Sequence, residues 1–182
     1  DKLGLAKPFI LFVGSFKAHK NLPVLLDAFE KVKENGALPH ELVLVGKKDR
    51  KEKKLLRRVE SLSRVRCLES VDDEALFALY HLADTLVIPS LWEGFGLPVL
   101  EAMACGTPVI CSNRSSLPEI AQDAALTFDP ERADRLEELM TRVLQDSALR
   151  ATLSAKGLER ASRFSWEKAA QETLAFYEKV LG

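Results

Sequence analysis

The chain has 182 residues, of which 47% are hydrophobic and 29% charged, and its formal net charge at pH 7 is -1. This composition excludes a disordered or fibrous protein, and the length suits one domain with a substantial buried core over residues 1–182. The balanced charge gives no support for nucleic-acid binding, which normally requires a clear basic excess. No apolar run approaches the roughly 18 residues that span a bilayer. Asp1 opens the sequence in place of Met, which is compatible with a segment of something longer.

Short apolar or β-branched runs alternate with amphipathic segments through the first part of the chain. The helical spacings include a run from Leu22, with Asn21 as its expected N-cap, and a run that begins at Asp72. Strands that alternate with helices predict parallel pairing through right-handed crossovers. We therefore predict an α/β fold, a Rossmann-like three-layer sandwich with a parallel six-stranded sheet. The candidate strands lie within 8–15, 40–47, 64–70, 83–90, 107–112 and 124–128.

The pattern after residue 128 is helical only. Three segments, 133–146, 147–164 and 165–181, carry helical spacing, and Ser165 is the expected N-cap of the last one. We expect these extra C-terminal helices to pack on the sheet or on something beyond this chain.

The three cysteines, Cys67, Cys105 and Cys111, lack the short spacings of a metal site. We interpret them as reduced core residues, and therefore expect a cytoplasmic protein. His40 and His81 are expected to be structural or exposed.

Residues 47–66 form a basic segment, with ten Lys or Arg against three acidic residues. Two interpretations stay open. A solvated helix face is the favoured one. Attraction to a polyanion or to an anionic membrane, as a peripheral contact, is the other.

The stretch "PSLWEGFGLPVLEAMACGTPVI", residues 89–110, is the strongest candidate for a ligand site. In open parallel sheets, ligands bind outside the carboxyl ends of the strands. The strand within 83–90 leads to Glu93, and Gly94 and Gly96 allow a ligand to approach the backbone closely. Pro98 suits the first turn of a helix, whose N–H groups attract phosphate.

Glu101 follows Pro98 by three residues, so it can face the same cleft as Glu93. Carboxylates accept hydrogen bonds from hydroxyls, and together with the loop they indicate a phosphate-bearing, polyhydroxylated ligand. Two other interpretations remain. Glu101 could merely favour the positive helix end while Glu93 is solvated, or the two could be the acid and base of a glycoside hydrolase.

The segment "EGFGLPVLEAMACGTPVI" resembles the signature of the retaining, nucleotide-sugar-dependent glycosyltransferases of GT-B fold, in which two glutamates are separated by seven residues. The similarity extends over almost the whole chain, through "FVGSFKAHKNLPVLLDAF", "ADTLVIPSLWEGFG", "SSLPEI" and "FSWEKAA". It concerns only the C-terminal, donor-binding half of such enzymes. The resemblance therefore implies an acceptor-binding N-terminal half that this chain lacks.

The resemblance also implies roles for individual residues. Glu93 would contact hydroxyls of the transferred sugar, Glu101 the ribose, and Lys20 the diphosphate, which makes Lys20 and Glu93 the expected catalytic pair. The other expected donor-binding residues are Gly14, which opens the backbone to the cleft, Val71, which lies against the base, and the loop residues Gly94, Phe95, Gly96 and Leu97.

The chain departs from the family pattern in three places. Ser15 and His19 stand where many members have arginine, and Glu69 stands where a glycine is usual. Lys17 or His19 could therefore help Lys20 with the diphosphate. Ser115 and Ser116 are expected to cap a helix rather than to act as nucleophiles.

The implied activity is that of a retaining hexosyltransferase, whose donor is a nucleoside diphosphate sugar and which uses no metal or other cofactor. The segment "HKNLPVLL" resembles the corresponding segment of mannosyl- and related polysaccharide-building transferases. The isolated chain is expected to be inactive or nearly so, and the full-length enzyme could associate with a membrane. The alternatives are a subunit of a split glycosyltransferase and a non-catalytic nucleotide-binding module.

Overall fold

Six parallel strands form one sheet in a computed structural model, which describes residues 4–5, 8–34 and 39–181. The spatial order is β3-β2-β1-β4-β5-β6, and every neighbouring pair is parallel. Each predicted strand segment contains one of them, so the Rossmann-like sandwich with its six-stranded parallel sheet is confirmed. The strands are β1 Phe9–Val13, β2 Glu41–Val45, β3 Val65–Leu68, β4 Thr85–Ile88, β5 Val109–Ser112 and β6 Leu126–Phe128.

Helices cover both faces of the sheet. The α-helices are α1 Leu22–Glu34, α2 Lys53–Ser61, α3 Asp73–Leu82, α4 Leu97–Ala104, α5 Leu117–Ala121, α6 Ala133–Gln145, α7 Ser147–Ala161 and α8 Trp166–Leu181. Short 3-10 helices span Ala18–Lys20 and Gln122–Ala124.

The strand sequences are nearly continuous apolar runs because both faces of the sheet are buried. Successive side chains of β1 point in opposite directions, so that Ile10 and Phe12 pack with α1, α2 and α6, while Phe9 and Leu11 pack with α3, α4 and α5. The core is thus two apolar layers, one on each side of the sheet.

Asp72 and Ser165 each cap a helix through the side chain. Asp72 accepts a hydrogen bond from the amide of Ala75 at 2.8 Å, and Ser165 accepts one from the amide of Lys168 at 3.1 Å.

The prediction that the Asn21 side chain caps α1 is wrong. Pro23 has no N–H, and the amide of Val24 donates to the backbone carbonyl of Asn21 at 3.2 Å. The Asn21 amide group donates instead to the carbonyl of Pro130 at 2.8 Å. Asn21 has the left-handed backbone conformation, with φ 52°, and ends the 3-10 helix that carries Lys20.

The basic segment contains α2, which buries Leu55 and Val59 and leaves most of its charged side chains in solvent. Arg58 pairs with Asp27 and Glu30 of α1, each at 2.6 Å. A solvated amphipathic helix accounts for these contacts, and membrane attraction stays a prediction. No helix in the described ranges is long and apolar enough to cross a membrane.

The C-terminal helices behave differently from one another. Helix α6 buries an apolar face against α1, and α7 crosses α4, where Gly157 lies against Met103. Helix α8 buries none of its residues, although Trp166, Phe176 and Tyr177 are large and exposed.

All three cysteines are free, and burial raises the pKa of Cys111 to about 12. Cys67 and Cys105 are only partly buried. His40 is buried, with Nε2 3.2 Å from an oxygen of Asp84, and His81 is exposed, as predicted.

Candidate active site

The candidate site lies at the carboxyl ends of β1 and β4, which are neighbours at the centre of the sheet. The chain winds outward in one direction from β1 to β3 and in the other direction from β4 to β6. Such a reversal leaves a crevice between the two central strands, where open α/β sheets bind ligands. The loops after β1 and β4 carry most of the predicted site residues.

Lys20 and Glu93 form a close ion pair across this crevice. Lys20 Nζ lies 2.6 Å from Oε1 and 2.8 Å from Oε2 of Glu93, so the ammonium group contacts both carboxylate oxygens. Their side chains are only 15% and 11% exposed, respectively. The hydroxyl of Ser90 donates a third hydrogen bond to Glu93, at 2.7 Å from Oε1. The sequence therefore brings its two predicted catalytic residues into direct contact.

The 3-10 helix Ala18–Lys20 places the lysine at this point. The amide of Leu91 donates to the carbonyl of His19 at 2.8 Å, which joins the loop after β1 to the loop after β4. A Cβ atom placed on Gly14 would lie 3.6 Å from Lys20 Cε and 3.2 Å from Phe12 Cζ. The lysine side chain thus passes Gly14 at ordinary van der Waals distance, and the tight contact of a larger residue at position 14 would be with the Phe12 ring.

Two serines hold the Gly-Phe-Gly loop in place. Ser115 donates to the carbonyl of Glu93 at 2.7 Å. Ser116 donates to the carbonyl of Phe95 at 2.8 Å and to that of Glu93 at 3.1 Å. Ser116 directly precedes α5, but its side chain makes no capping bond. The expectation that these serines cap a helix through their side chains is therefore wrong, because both hydroxyls bind the neighbouring loop.

Helix α4 begins at the site. Gly96 precedes it with φ 114°, a conformation that suits glycine, and a Cβ atom there would lie 3.0 Å from Leu117 Cδ2. Pro98 lies in the first turn, as predicted. The N–H groups at the start of the helix have no helical acceptor, so this end attracts anions. The backbone of Gly94, Gly96 and Leu97 therefore borders the crevice at the positive end of α4.

Glu101, in α4, is held by a residue that sequence analysis did not single out. The hydroxyl of Tyr80 donates to Glu101 Oε2 at 2.7 Å. Tyr80 is 1% exposed, and burial, followed by the neighbouring carboxylate, raises the pKa of its phenol. In the sequence, Tyr80 is one of the apolar positions of α3, and nothing in that spacing marks a polar contact.

Several exposed rings surround the site. Trp92 is 63% exposed, and its ring meets that of His19 edge-on at 6.5 Å between centroids. Phe95 is 45% exposed and meets Phe164 edge-on at 6.2 Å. The guanidinium of Arg160 lies 4.7 Å above the Phe164 ring. Trp92 and Phe95 therefore add exposed aromatic surface to the loop that carries Glu93.

Val71 follows β3, two strands away from β1. Its side chain packs against the apolar layer beneath α3 and α4. Glu69, in the same loop, pairs with Lys48 at 3.3 Å. The structure thus places Val71 at the edge of the sheet that carries the site, but away from the contact between Lys20 and Glu93.

No group of three or more His, Cys, Asp or Glu side chains could hold a metal ion within residues 4–5, 8–34 and 39–181. The only cation that the described bonds bring to Glu93 is the ammonium group of Lys20.

The fold and this crevice define an open parallel α/β domain with a binding site at its central switch point. The model of the family "Glycosyl transferases group 1" matches residues 2–160, and the chain belongs to this family.

Two of the similar proteins are longer than this chain. The chain is 39% identical to O-antigen chain mannosyltransferase B of Escherichia coli over 173 residues, which are 93% of this chain and 45% of that protein. Sucrose-phosphate synthase from Thermosynechococcus elongatus superposes with a TM-score of 0.84 at 31% identity, over 99% of this chain and 47% of the other. This chain therefore spans about half the length of these proteins.

A second similar structure is itself a domain. The C-terminal domain of a glycosyl transferase group 1 family protein from Francisella tularensis superposes with a TM-score of 0.77 at 23% identity. The match covers 89% of this chain and 88% of the other, so the two folds agree nearly end to end.

Proposed function

We propose that residues 1–182 form the donor-binding domain of a retaining glycosyltransferase, and that the full enzyme moves a sugar from a nucleoside diphosphate sugar to an acceptor hydroxyl. The observation that carries this proposal is the joint position of Lys20 and Glu93 at the switch point, beside the start of α4. One cation and one carboxylate at a positive helix end suit a ligand that carries both phosphates and hydroxyls.

In this proposal, Lys20 binds the diphosphate and Glu93 accepts hydrogen bonds from hydroxyls of the transferred sugar. The bond from the anomeric carbon to the diphosphate oxygen breaks, a bond to the acceptor oxygen forms, and the hydroxyl proton is released. Negative charge grows on the leaving diphosphate. Lys20 and the amides at the start of α4 stabilise that charge electrostatically, and no metal or other cofactor is needed.

The other site residues contact the remaining parts of the donor. Glu101 accepts from the ribose, the backbone of Phe95, Gly96 and Leu97 lies against the diphosphate and sugar, and Val71 lies near the base. Mannose is the proposed sugar, because the E. coli relative is named a mannosyltransferase. The acceptor site belongs to a separate N-terminal half, since the relatives are about twice as long as this chain.

The experiment uses the full-length protein with a panel of nucleoside diphosphate sugars, and NMR to follow the anomeric configuration of the product. We expect transfer from one donor with retained configuration. Glu93→Ala and Lys20→Ala should abolish it, whereas Glu74→Ala, at an exposed position of α3, should not. Transfer that survives both site variants would overturn the proposal. A product with inverted anomeric configuration would overturn the claim that the enzyme is retaining.

A further inference from the structure

The two glutamates of the site are held in different ways. Both oxygens of Glu93 contact the charged Lys20. Glu101 receives a neutral donor, the Tyr80 hydroxyl, at Oε2. Within the part of the chain that the structure describes, Tyr80 is the only side chain that hydrogen-bonds to Glu101. The other carboxylate oxygen, Oε1, therefore remains available to accept a hydrogen bond from a ligand.

Tyr80 is well suited to hold a carboxylate in one orientation. Its ring is packed between α3 and α4 in the apolar layer, and it is among the largest fully buried side chains of the described residues. Its backbone is also fixed, because the hydroxyl of Thr107 donates to the Tyr80 carbonyl at 2.6 Å. A buried phenol that lost its acceptor would be costly, so the bond to Glu101 is strongly favoured.

The geometry points to Tyr80 as a positioning residue that turns the free oxygen of Glu101 toward the ribose hydroxyls, so that the site prefers ribonucleotides to nucleotides without these hydroxyls. This inference rests on the proposed function. It assigns the preference for a nucleotide with ribose hydroxyls to a residue outside the Glu-x7-Glu motif. Tyr80 itself does not touch the ligand. It acts through Glu101, and its removal should leave the carboxylate free to rotate into solvent.

The test compares two proteins, the unaltered chain and Tyr80→Phe, with two ligands. Calorimetry measures the dissociation constant of each of the four combinations. The ligands are the member of UDP, GDP and ADP that gives the largest thermal shift, and its 2′,3′-dideoxy form. For the unaltered chain, loss of the hydroxyls should weaken binding roughly tenfold or more, which is the usual effect of hydrogen bonds to a charged group. In Tyr80→Phe the same ligand change should cost only about two- to threefold, with the dideoxy ligand bound as before.

The matched control is Tyr177→Phe in the exposed helix α8, which should behave like the unaltered chain. A purely structural role for Tyr80 would weaken both ligands equally, and that result would overturn the inference. If the unaltered chain bound the nucleotide but Tyr80→Phe kept the full tenfold preference, the inference alone would fail. If neither the unaltered chain nor the full-length protein bound any nucleotide, the proposed function would fail with it.

A second measurement needs no variant. The chain has only two tyrosines, so tyrosine labelled with 13C at the ζ carbon gives two resonances, which Tyr177→Phe assigns. The Tyr80 resonance should shift with the ribonucleotide and stay nearly unchanged with the dideoxy form. Equal shifts with both ligands would contradict the inference even if Tyr80→Phe failed to fold.

Discussion

Lys20 and Glu93 neutralise each other at the switch point of the sheet, with Nζ within 2.8 Å of both carboxylate oxygens. The two residues lie 73 positions apart in the chain, on loops that follow neighbouring strands. A diphosphate that binds Lys20 must therefore compete with Glu93 for the ammonium group. Loss of the negative charge of Glu93 should therefore strengthen the binding of a diphosphate to Lys20.

Glu93→Gln should strengthen the binding of a nucleoside diphosphate that carries no sugar. The amide keeps the size of the side chain and can still accept from Ser90, but it releases Lys20 to the diphosphate. Since a partly exposed ion pair contributes on the order of 1 kcal/mol, we expect roughly three- to tenfold tighter binding by calorimetry. The same variant should lose the preference for the sugar nucleotide over the sugar-free form. Glu74→Gln is the control, and weaker binding of the sugar-free nucleotide in Glu93→Gln would contradict the competition.

The two glycines of the Gly-Phe-Gly loop should respond differently to alanine. Gly96 has φ 114° and would place a Cβ atom 3.0 Å from Leu117, so Gly96→Ala should lower the free energy of unfolding by about 1–3 kcal/mol. A Cβ atom on Gly94 would meet nothing within 4 Å. Gly94→Ala should therefore leave stability within about 0.5 kcal/mol and weaken only donor binding. Urea unfolding and calorimetry separate the two effects, and equal stability losses would show that the loop geometry is not as described.

Ser116→Ala should loosen the loop that carries Glu93. The carbonyls of Glu93 and Phe95 share the one hydroxyl proton of Ser116, so its removal should cost about 1–2 kcal/mol of unfolding free energy in urea titrations. Ser162→Ala is the matched control, since that hydroxyl donates to a carbonyl at the exposed end of α7 and its loss should cost less than about 0.5 kcal/mol. Similar small losses for the two variants would mean that Ser116 does not hold the loop.

Removal of residues 165–182 should not destabilise the isolated chain. None of the residues of α8 is buried, whereas Phe164, which contacts Phe95, remains after the truncation. We expect the thermal midpoint of the truncated chain to stay within about 2 °C of the original, because no core surface is lost. A drop of 5 °C or more would show that α8 packs on the domain in solution.

Local patterns were sufficient for the strands and for Glu93, whereas Lys20 was predicted only from the resemblance to the family. The apolar runs located all six strands, and the position of Glu93 after a buried strand placed it at the carboxyl-terminal edge of the sheet. The pairing of Lys20 with Glu93 was not evident from spacing, because the winding of the sheet, not the sequence distance, brings β1 next to β4.

The supporting hydrogen bonds could not be predicted for the same reason. Tyr80 occupies an apolar position of α3, and its polar end is used only because α4 packs beside it. Ser116 precedes a helix, as capping residues do, yet the loop after β4 offers its hydroxyl two carbonyls. Asn21 is likewise diverted, to Pro130, which lies 109 positions away. For Ser116 and Asn21, a contact distant in sequence replaced the local capping bond that propensity favours.

The central claim is that this crevice binds a nucleoside diphosphate through Lys20 and Glu101, and thermal unfolding with UDP, GDP and ADP tests it most directly. At about 100 times the dissociation constant a bound nucleotide should add about 2.7 kcal/mol to the free energy of unfolding. We predict stabilisation by one of the three, lost in both Lys20→Ala and Glu101→Ala and kept in Glu74→Ala. Stabilisation that persists in both site variants, or none by any nucleotide in the chain and in the full-length protein, would contradict the account.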